Sequence, residues 1–309
     1  MPHTTAEQVS LASSFVLQAP PGEVNDVLSD LRLVVGDDAA LEAGVTQALE
    51  EYNTEQLVSV DVPGESYKMV LSPAGRIQTE EGTRYLDARN ATTYVVDPIN
   101  LTVSSPEPYP IPSSLATVRD ALQKALDGYL ARHFVPQPKA GQADQALGDA
   151  ACAVFPPLVA SDEDAAALGN RVWIMEVVSS RYKPTNYWSG RWRAHWEVEP
   201  DKLEVRGNIA VDVHYYEQGN VQLHTTYAPH ITLPSASITA EQILQLVFDE
   251  EAQYHAKLTE SFEKMRDGGF RGLRRVLPVT RGKMDWDKVL GYRLGQELAG
   301  TRSPPVASS

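Results

Sequence analysis

The sequence predicts an α+β protein with N-terminal helices, a small β-hairpin region, an antiparallel sheet, a long helix and a C-terminal amphipathic arm. Three observations lead to this fold class. Apolar residues recur at helical spacing through the first 60 residues, β-prone runs dominate 171–233, and one long amphipathic stripe follows Thr239. With 309 residues, the chain is long enough to bury a full core.

The N-terminal segment predicts three short helices. The first pattern stops at Pro20-Pro21, the second runs through 24–35 and stops at Gly36, and the third covers 39–57. Two tight breaks between three short helices indicate a helical hairpin bundle.

A change from helical to β-prone spacing begins at residue 61. Short β-prone runs at 67–71, 76–77, 84–86 and 93–96 are separated by Gly, Pro and Asn. Segment 103–112 contains four prolines and predicts a connector, after which Ser113-Ser114 opens an amphipathic helix. Segment 136–170 is rich in Ala, Asp, Gln and Gly and has little apolar pattern except at 151–158, so most of it is predicted to be a loop or insertion.

The strongest β region predicts four strands, at 172–181, 191–199, 203–216 and 221–227. The last two form a hairpin whose register depends on the turn. A two-residue turn would place the apolar residues of the two strands on opposite faces. A three-residue loop pairs Tyr215 with Val221 and Val213 with Leu223, so their apolar faces align. We therefore predict the second register.

A capping-box pattern from Thr239 to Gln242 predicts the start of a long helix. Gly268-Gly269 marks its predicted end. One stripe along this helix consists of Ile243, Val247, Tyr254, Leu258, Phe262 and Met265.

The C-terminal arm, 271–300, differs from the rest of the chain in charge. The whole sequence has 27 Lys and Arg against 41 Asp and Glu, a net charge of −14. Residues 271–293 carry seven basic side chains and two aspartates, hence +5, which leaves −19 on the remainder. Such an arm can dock on its own protein, bind an acidic partner with an apolar cleft, or lie on an anionic membrane.

A row of three tryptophans is a candidate binding surface. Trp188, Trp192 and Trp196 would share one strand face, which favours a core layer over a platform for sugars or bases. The platform hypothesis, a carbohydrate-binding enzyme, would require exposed tryptophans beside a pair of carboxylates.

Two further groups of residues could carry chemistry. His214 and His224 would share a sheet face with Asp212 opposite His224, but no further ligand supports a metal site. The single cysteine, Cys152, is predicted to be a buried apolar residue rather than a nucleophile.

Several function classes find no support in the sequence. No phosphate-binding, dinucleotide-binding, hydrolase or zinc-protease motif occurs, so we expect neither an enzyme nor a cofactor or metal. A net charge of −14 argues against non-specific nucleic-acid binding by the body of the chain, with the basic arm as the one candidate exception. The lone cysteine and the lack of a signal-like N-terminus or a long apolar run indicate an intracellular compartment.

Three separate motifs carry a resemblance to a known family. They are NYWSGRWR at 186–193, VHYYEQGNVQL at 213–223, and LRRVLPVTR at 273–281 followed by MDWDK at 284–288. In this order they resemble the alpha subunit of F-actin-capping protein. Ser189 stands where the family has Asn, and Gln218 where it has Asp. The resemblance is weak over 1–110 and 136–170.

The resemblance implies a function and partners. Such a subunit pairs obligately with a homologous beta subunit, whose sheet joins its own edge to edge, with long helices crossing the sheet and N-terminal helices forming a stalk. The pair caps the barbed end of actin filaments without calcium or nucleotide, in the cytoplasm and at cortical actin structures of the cytoskeleton. Phosphoinositides and capping regulators are further partners, and the end of an actin-related filament is an alternative site of action. The actin-binding residues on this basis are Arg271, Arg274, Arg275, Arg281, Lys283, Trp286, Leu290 and Leu294.

The predicted organisation has six parts. They are a helical stalk (1–62), a small β region (63–111), a helix with an antiparallel sheet (112–236, containing the insertion 136–170), a long helix (237–270), the basic arm (271–300) and a disordered tail (301–309).

Overall fold

The computed structural model describes residues 4–134, 147–159, 161–183, 187–216 and 221–264. The chain divides into two compact units, Met1–Glu251 and Ala252–Ser309. The described part of the second unit, 252–264, is the C-terminal half of one helix.

Three N-terminal helices form a bundle, as the apolar spacing predicts. They are α1 (Thr5–Leu17), α2 (Val24–Val35) and α3 (Asp38–Glu55). Thr4 and Glu7 form a capping box at the start of α1, and Gly36 ends α2 in the left-handed conformation at φ 68°. Their apolar stripes share one core, which contains Ala12, Val16, Leu31, Val35, Leu41, Val45 and Leu49.

Two small antiparallel sheets follow the helices. Strands β1 (Ser59–Asp61) and β2 (Lys68–Val70) pair with each other, and β3 (Arg76–Thr79), β4 (Gly82–Asp87), β5 (Thr92–Asp97) and β6 (Thr102–Pro108) form a four-stranded sheet in that order. The prediction of a connector at 103–112 was wrong, because most of this segment is β6. Proline is tolerated there because β6 is an edge strand, where a residue whose backbone nitrogen faces outward loses no ladder hydrogen bond.

Helix α4 (Ser113–His133) is confirmed, but the prediction that most of 136–170 is a loop was wrong for 147–155 and 162–167, while residues 136–146 and 160 lie outside the described residues. Residues Leu147–Phe155 form β7, an edge strand of the main sheet, and Asp162–Ala167 form a short helix, α5. The strand signal is weak in the sequence because alanine has little β-propensity. The strand forms because Cys152, Val154 and Phe155 are buried in the core.

The main sheet is built from β7, β8 (Trp173–Lys183), β9 (Trp188–Glu199), β10 (Glu204–Tyr215), β11 (Val221–Tyr227) and β12 (His230–Thr232). Its order is β11-β10-β9-β8-β7, and the short β12, which the sequence did not predict, pairs with β10. The predicted hairpin register is confirmed, since Tyr215 pairs with Val221 and Val213 with Leu223. The turn residues 217–220 lie outside the described residues.

The two faces of this sheet have different neighbours. On one face, called here the helix face, Trp196 is fully buried and hydrogen-bonds Glu251. Gly207 lies directly across from Trp196, and a Cβ at Gly207 would come within 2.5 Å of the Trp196 ring, so glycine is required there. On the opposite face, Ser189, Arg191 and Arg193 contact the N-terminal helices and the residues that flank them.

The long helix α6 (Ala240–Lys264) begins at the predicted capping box. The Gln242 N–H donates to Thr239 Oγ1 (3.3 Å), and the Thr239 N–H donates to Gln242 Oε1 (3.0 Å). The stripe is buried at Ile243 and Val247, whereas Phe262 is 48% exposed. The predicted helix end at 268–269, the arm (271–300) and the tail (301–309) lie outside the described residues.

Candidate functional site

The predicted actin-binding residues all lie outside the described residues. They are Arg271, Arg274, Arg275, Arg281, Lys283, Trp286, Leu290 and Leu294. Their role therefore stays a prediction, and the candidate site that the structure does describe is the β10–β11 end of the main sheet.

The two edges of the main sheet differ in how they are covered. At the β7 edge, the Ser59 hydroxyl donates to Asp149 (2.5 Å) and Lys68 lies 3.4 Å from the same carboxylate. At the other edge, β11 and β12 lie end to end along β10, and no strand among the described residues pairs with their outer side. Val221 at the start of β11 is 62% exposed. An uncovered antiparallel edge with exposed apolar residues is a surface on which another strand can add.

A polar contact fixes the corner between α1 and α2 to this end of the sheet. The Glu23 carboxylate, directly before α2, accepts hydrogen bonds from the Ser189 hydroxyl (2.9 Å) and from Nδ1 of His214 (2.7 Å). Ser189 and His214 are direct neighbours on β9 and β10. Ser189 is completely buried and has a structural role. Sequence reasoning missed Glu23, because 191 positions separate it from His214.

The two histidines that share a sheet face, His214 and His224, lie in separate hydrogen-bond groups. Asp212 lies opposite His224 as predicted, and its carboxylate bonds both His224 and Arg193, with 2.6 Å to Arg193. His214 bonds Glu23 instead. Within the described ranges, no cluster of three or more His, Cys, Asp or Glu side chains could hold a metal ion.

A second polar group lies inside the core, between α4, β9 and α6. The Glu251 carboxylate accepts hydrogen bonds from the Tyr129 hydroxyl and from Nε1 of Trp196, 3.0 Å away. Burial raises the pKa of Glu251 to about 7, although both hydrogen bonds act in the opposite direction. The group connects three elements of the core, and Glu251 itself is only 4% exposed.

The remaining candidates are structural residues. The core interpretation of the tryptophan row is confirmed for Trp196, while Trp188 and Trp192 are partly exposed. Cys152 is buried as predicted, and burial raises the pKa of its thiol to about 12, so it is a poor nucleophile. Among the helices that the structure describes, none is both long enough and apolar enough to cross a membrane.

These observations define an α+β chain with helices across one face of an antiparallel sheet, an N-terminal helical bundle on the other, and a sheet edge with which no described strand pairs. The family model for the F-actin capping protein alpha subunit matches residues 12–297. The chain belongs to this family, which is a family of actin-capping proteins and not of enzymes.

Individual relatives support the assignment over nearly the whole length. F-actin-capping protein subunit alpha of Emericella nidulans is 37% identical over 296 residues, covering 96% of this chain and 98% of the relative. The Caenorhabditis elegans subunit is 32% identical over 302 residues, covering 95% and 98%. The homodimeric actin capping protein alpha subunit of Plasmodium berghei has a similar fold, with a TM-score of 0.64 at 17% identity over 82% of this chain and 92% of its own.

Proposed function

We propose that this chain is the alpha subunit of a heterodimeric actin-capping protein. The observation that carries the proposal is membership of the capping-protein alpha family over residues 12–297, a range that includes most of the basic arm. The heterodimer binds the barbed end of an actin filament, independently of calcium, and blocks the exchange of actin subunits there.

The pairing partner is the homologous beta subunit, which adds its own sheet along β11. Two observations support this choice of edge. The β7 edge is already in contact with β1 and β2, and the side chains of β11 that are exposed include Val221, Gln222, His224 and Thr226. Pairing along β11 would satisfy the outer backbone groups of an edge strand and remove its tendency to aggregate.

The basic arm, 271–300, is the actin-binding element. The charge of +5 over 271–293 is opposite in sign to the rest of the chain, and the basic residues alternate with Trp286, Leu290 and Leu294. Clustered basic charge accelerates association with an acidic surface, and an apolar stripe gives the bound helix a face to bury. Phosphoinositides compete for the same basic residues, and capping regulators and cortical actin set where the heterodimer acts.

Co-expression with the beta subunit of the same organism, followed by a seeded actin elongation assay, tests the proposal. The purified pair should stop growth at barbed ends equally well with calcium and with a calcium chelator. A pair whose alpha chain ends at residue 270 is the control, because it keeps the described fold and lacks the arm. A stable full-length pair that leaves the elongation rate unchanged would contradict the proposed function.

A further inference from the structure

The Glu251 carboxylate joins α6 to two other elements of the core through neutral donors. The Tyr129 hydroxyl on α4 and the indole N–H of Trp196 on β9 both donate to it. Trp196 is fully buried and Tyr129 is 3% exposed, so both donors find their acceptor inside the core. Among the described residues, no basic side chain contributes an opposite charge at Glu251.

The titratable groups next to this contact do not compensate a negative charge. On α4, the ring of His133 stacks on Tyr129 with 4.9 Å between the ring centres. Partial burial of this ring lowers the pKa of His133, so the imidazole is neutral near pH 7. On α6 itself, the neighbouring Glu250 accepts a hydrogen bond from the Tyr227 hydroxyl of β11. The charge of the buried carboxyl therefore depends on its own protonation.

Ionisation of Glu251 weakens this contact as the pH rises. When protonated, the carboxyl is neutral and fits an apolar environment. When ionised, it is a charge that is 4% exposed, with two neutral donors and no opposite charge from the described residues. Burial raises the pKa of Glu251 to about 7, so the change falls close to neutral pH. The packing of α6 at this point is therefore favoured below that pH and disfavoured above it.

The position of Glu251 along α6 allows this contact to affect the arm. Glu251 is the last residue of the first compact unit, and α6 continues through 252–264, a length of roughly 20 Å at about 1.5 Å per residue. After Tyr254, every described residue of α6 is exposed or half-buried. A tilt of about 10° at Glu251 would move Lys264 by about 3 Å. The first basic residue of the arm, Arg271, follows shortly after in the sequence.

We propose that Glu251 is a pH-dependent positioning residue for capping, and that its protonated form holds α6 in the orientation from which the basic arm binds actin. When the carboxyl ionises, α6 loosens from Tyr129 and Trp196, and fewer molecules present the arm correctly. Capping then weakens as the pH rises through neutrality. This inference rests on the proposed function, because it takes the arm as the actin-binding element. It adds a regulation of capping by proton concentration.

Seeded actin elongation with the full-length heterodimer, at about pH 6.5 and about pH 8, tests the effect on capping. If only the protonated form positions the arm, the competent fraction falls from about three quarters to about one tenth, and the apparent capping affinity falls about eightfold. Glu251→Gln should remove this decrease. Glu263→Gln, which removes an exposed charge from the same helix, should retain it. The ratio between variant and unchanged protein at each pH cancels any pH dependence of actin or of the beta subunit.

Hydrogen exchange of the backbone amides of 252–264 in the same heterodimer measures the loosening without actin. At about pH 8 these amides should exchange faster in the unchanged protein than in Glu251→Gln, and at about pH 6 equally fast in both. Tyr129→Phe should move the midpoint of both pH profiles upward, because the lost hydrogen bond favours the ionised carboxylate. A residue with a structural role alone would change stability at every pH without moving this midpoint.

The outcomes separate this inference from the proposed function. A decrease in capping with pH that is absent in Glu251→Gln, together with the matching difference in exchange, supports the inference. Parallel capping profiles for the unchanged protein and Glu251→Gln overturn it while the proposed function stands, and so do equal exchange rates at the higher pH. A stable heterodimer that caps at neither pH contradicts the proposed function, and the exchange rates then still decide whether ionisation loosens α6.

Discussion

Replacing the buried carboxylate Glu251 by glutamine should stabilise the protein at neutral and alkaline pH. In the structure, Glu251 accepts hydrogen bonds from Tyr129 and Trp196 in the space between α4, β9 and α6. Glutamine is nearly the same size, and its oxygen can accept from Trp196 while its amide donates to the Tyr129 hydroxyl. The substitution thus keeps the packing and removes the buried charge.

The size of the effect follows from the pKa of Glu251. Burial raises this pKa from 4.5 to about 7, a difference of about 2.5, and each pH unit corresponds to about 1.36 kcal/mol. The folded-state pKa lies above the unfolded value. The contribution of the Glu251 carboxyl to the free energy of unfolding is therefore complete below pH 4.5 and is lost as the pH rises through 7. Between about pH 4.5 and pH 8, this group should lower the free energy of unfolding of the unchanged protein by about 3 kcal/mol. The Glu251→Gln variant should show no such decrease.

Denaturant unfolding at about pH 5, 6, 7 and 8, followed by tryptophan fluorescence at one protein concentration, measures the effect. Glu263→Gln is the matched control, since Glu263 is an exposed carboxylate of the same helix. Glu251→Ala should be destabilised at every pH, because it leaves both hydrogen-bond donors in the core without an acceptor. If the free energy of unfolding varied with pH in the same way for the unchanged protein and Glu251→Gln, ionisation of Glu251 would not destabilise the fold, and the argument would be refuted.

Three further predictions concern the core and the arm. Trp196→Ala should lower the free energy of unfolding by about 3–5 kcal/mol, and Trp188→Ala should lower it by less, because Trp196 is fully buried and Trp188 is not. Equal losses for the two variants in denaturant unfolding would contradict the burial argument. Charge reversal at Arg271, Arg275 and Arg281 should leave pairing intact and slow capping, and equal association rates at low salt would count against these residues. Trp286→Ala or Leu290→Ala should weaken capping with nearly unchanged melting, and a large loss of stability with normal capping would mean that the arm packs on its own protein.

The elements with strong periodicity could be predicted from the sequence. The three N-terminal helices, α4, α6 and the strands β8 to β11 all carry an apolar pattern of the correct period. The register of the β10–β11 hairpin followed from one requirement, namely that the apolar residues of both strands share a face. Local patterns and a single packing rule are sufficient in these cases.

The missed strands depend on tertiary context instead. In β6 the prolines suggested a connector, and only the position of the strand at a sheet edge makes them acceptable. In β7 the small residues have weak β-propensity, and pairing with β8 along Leu147–Phe155 decides the conformation. The sequence of β6 or β7 alone does not show which strand it will pair with in the folded protein.

The candidate site shows the same limit at longer range. The family motif around Ser189 and His214 could be recognised from the sequence, but the Glu23 carboxylate that holds both residues could not. Asp212 opposite His224 was predictable because one hairpin register fixes it, whereas the bond from Arg193 requires the adjacent strand. Contacts within a hairpin follow from local sequence, and contacts between distant elements require the fold.

The exposed groups at the β10–β11 end of the sheet are consistent with the proposal that this chain pairs with another subunit. Phe15 and Val34 are at least half exposed and line one groove, and Nε2 of His214 in the same groove has no partner within the described residues. Val221, also more than half exposed, directly precedes Gln222 of the groove wall. These groups lie beside a strand edge with which no described strand pairs, so one partner surface can contact all of them. Substitutions there should therefore impair pairing before they impair folding.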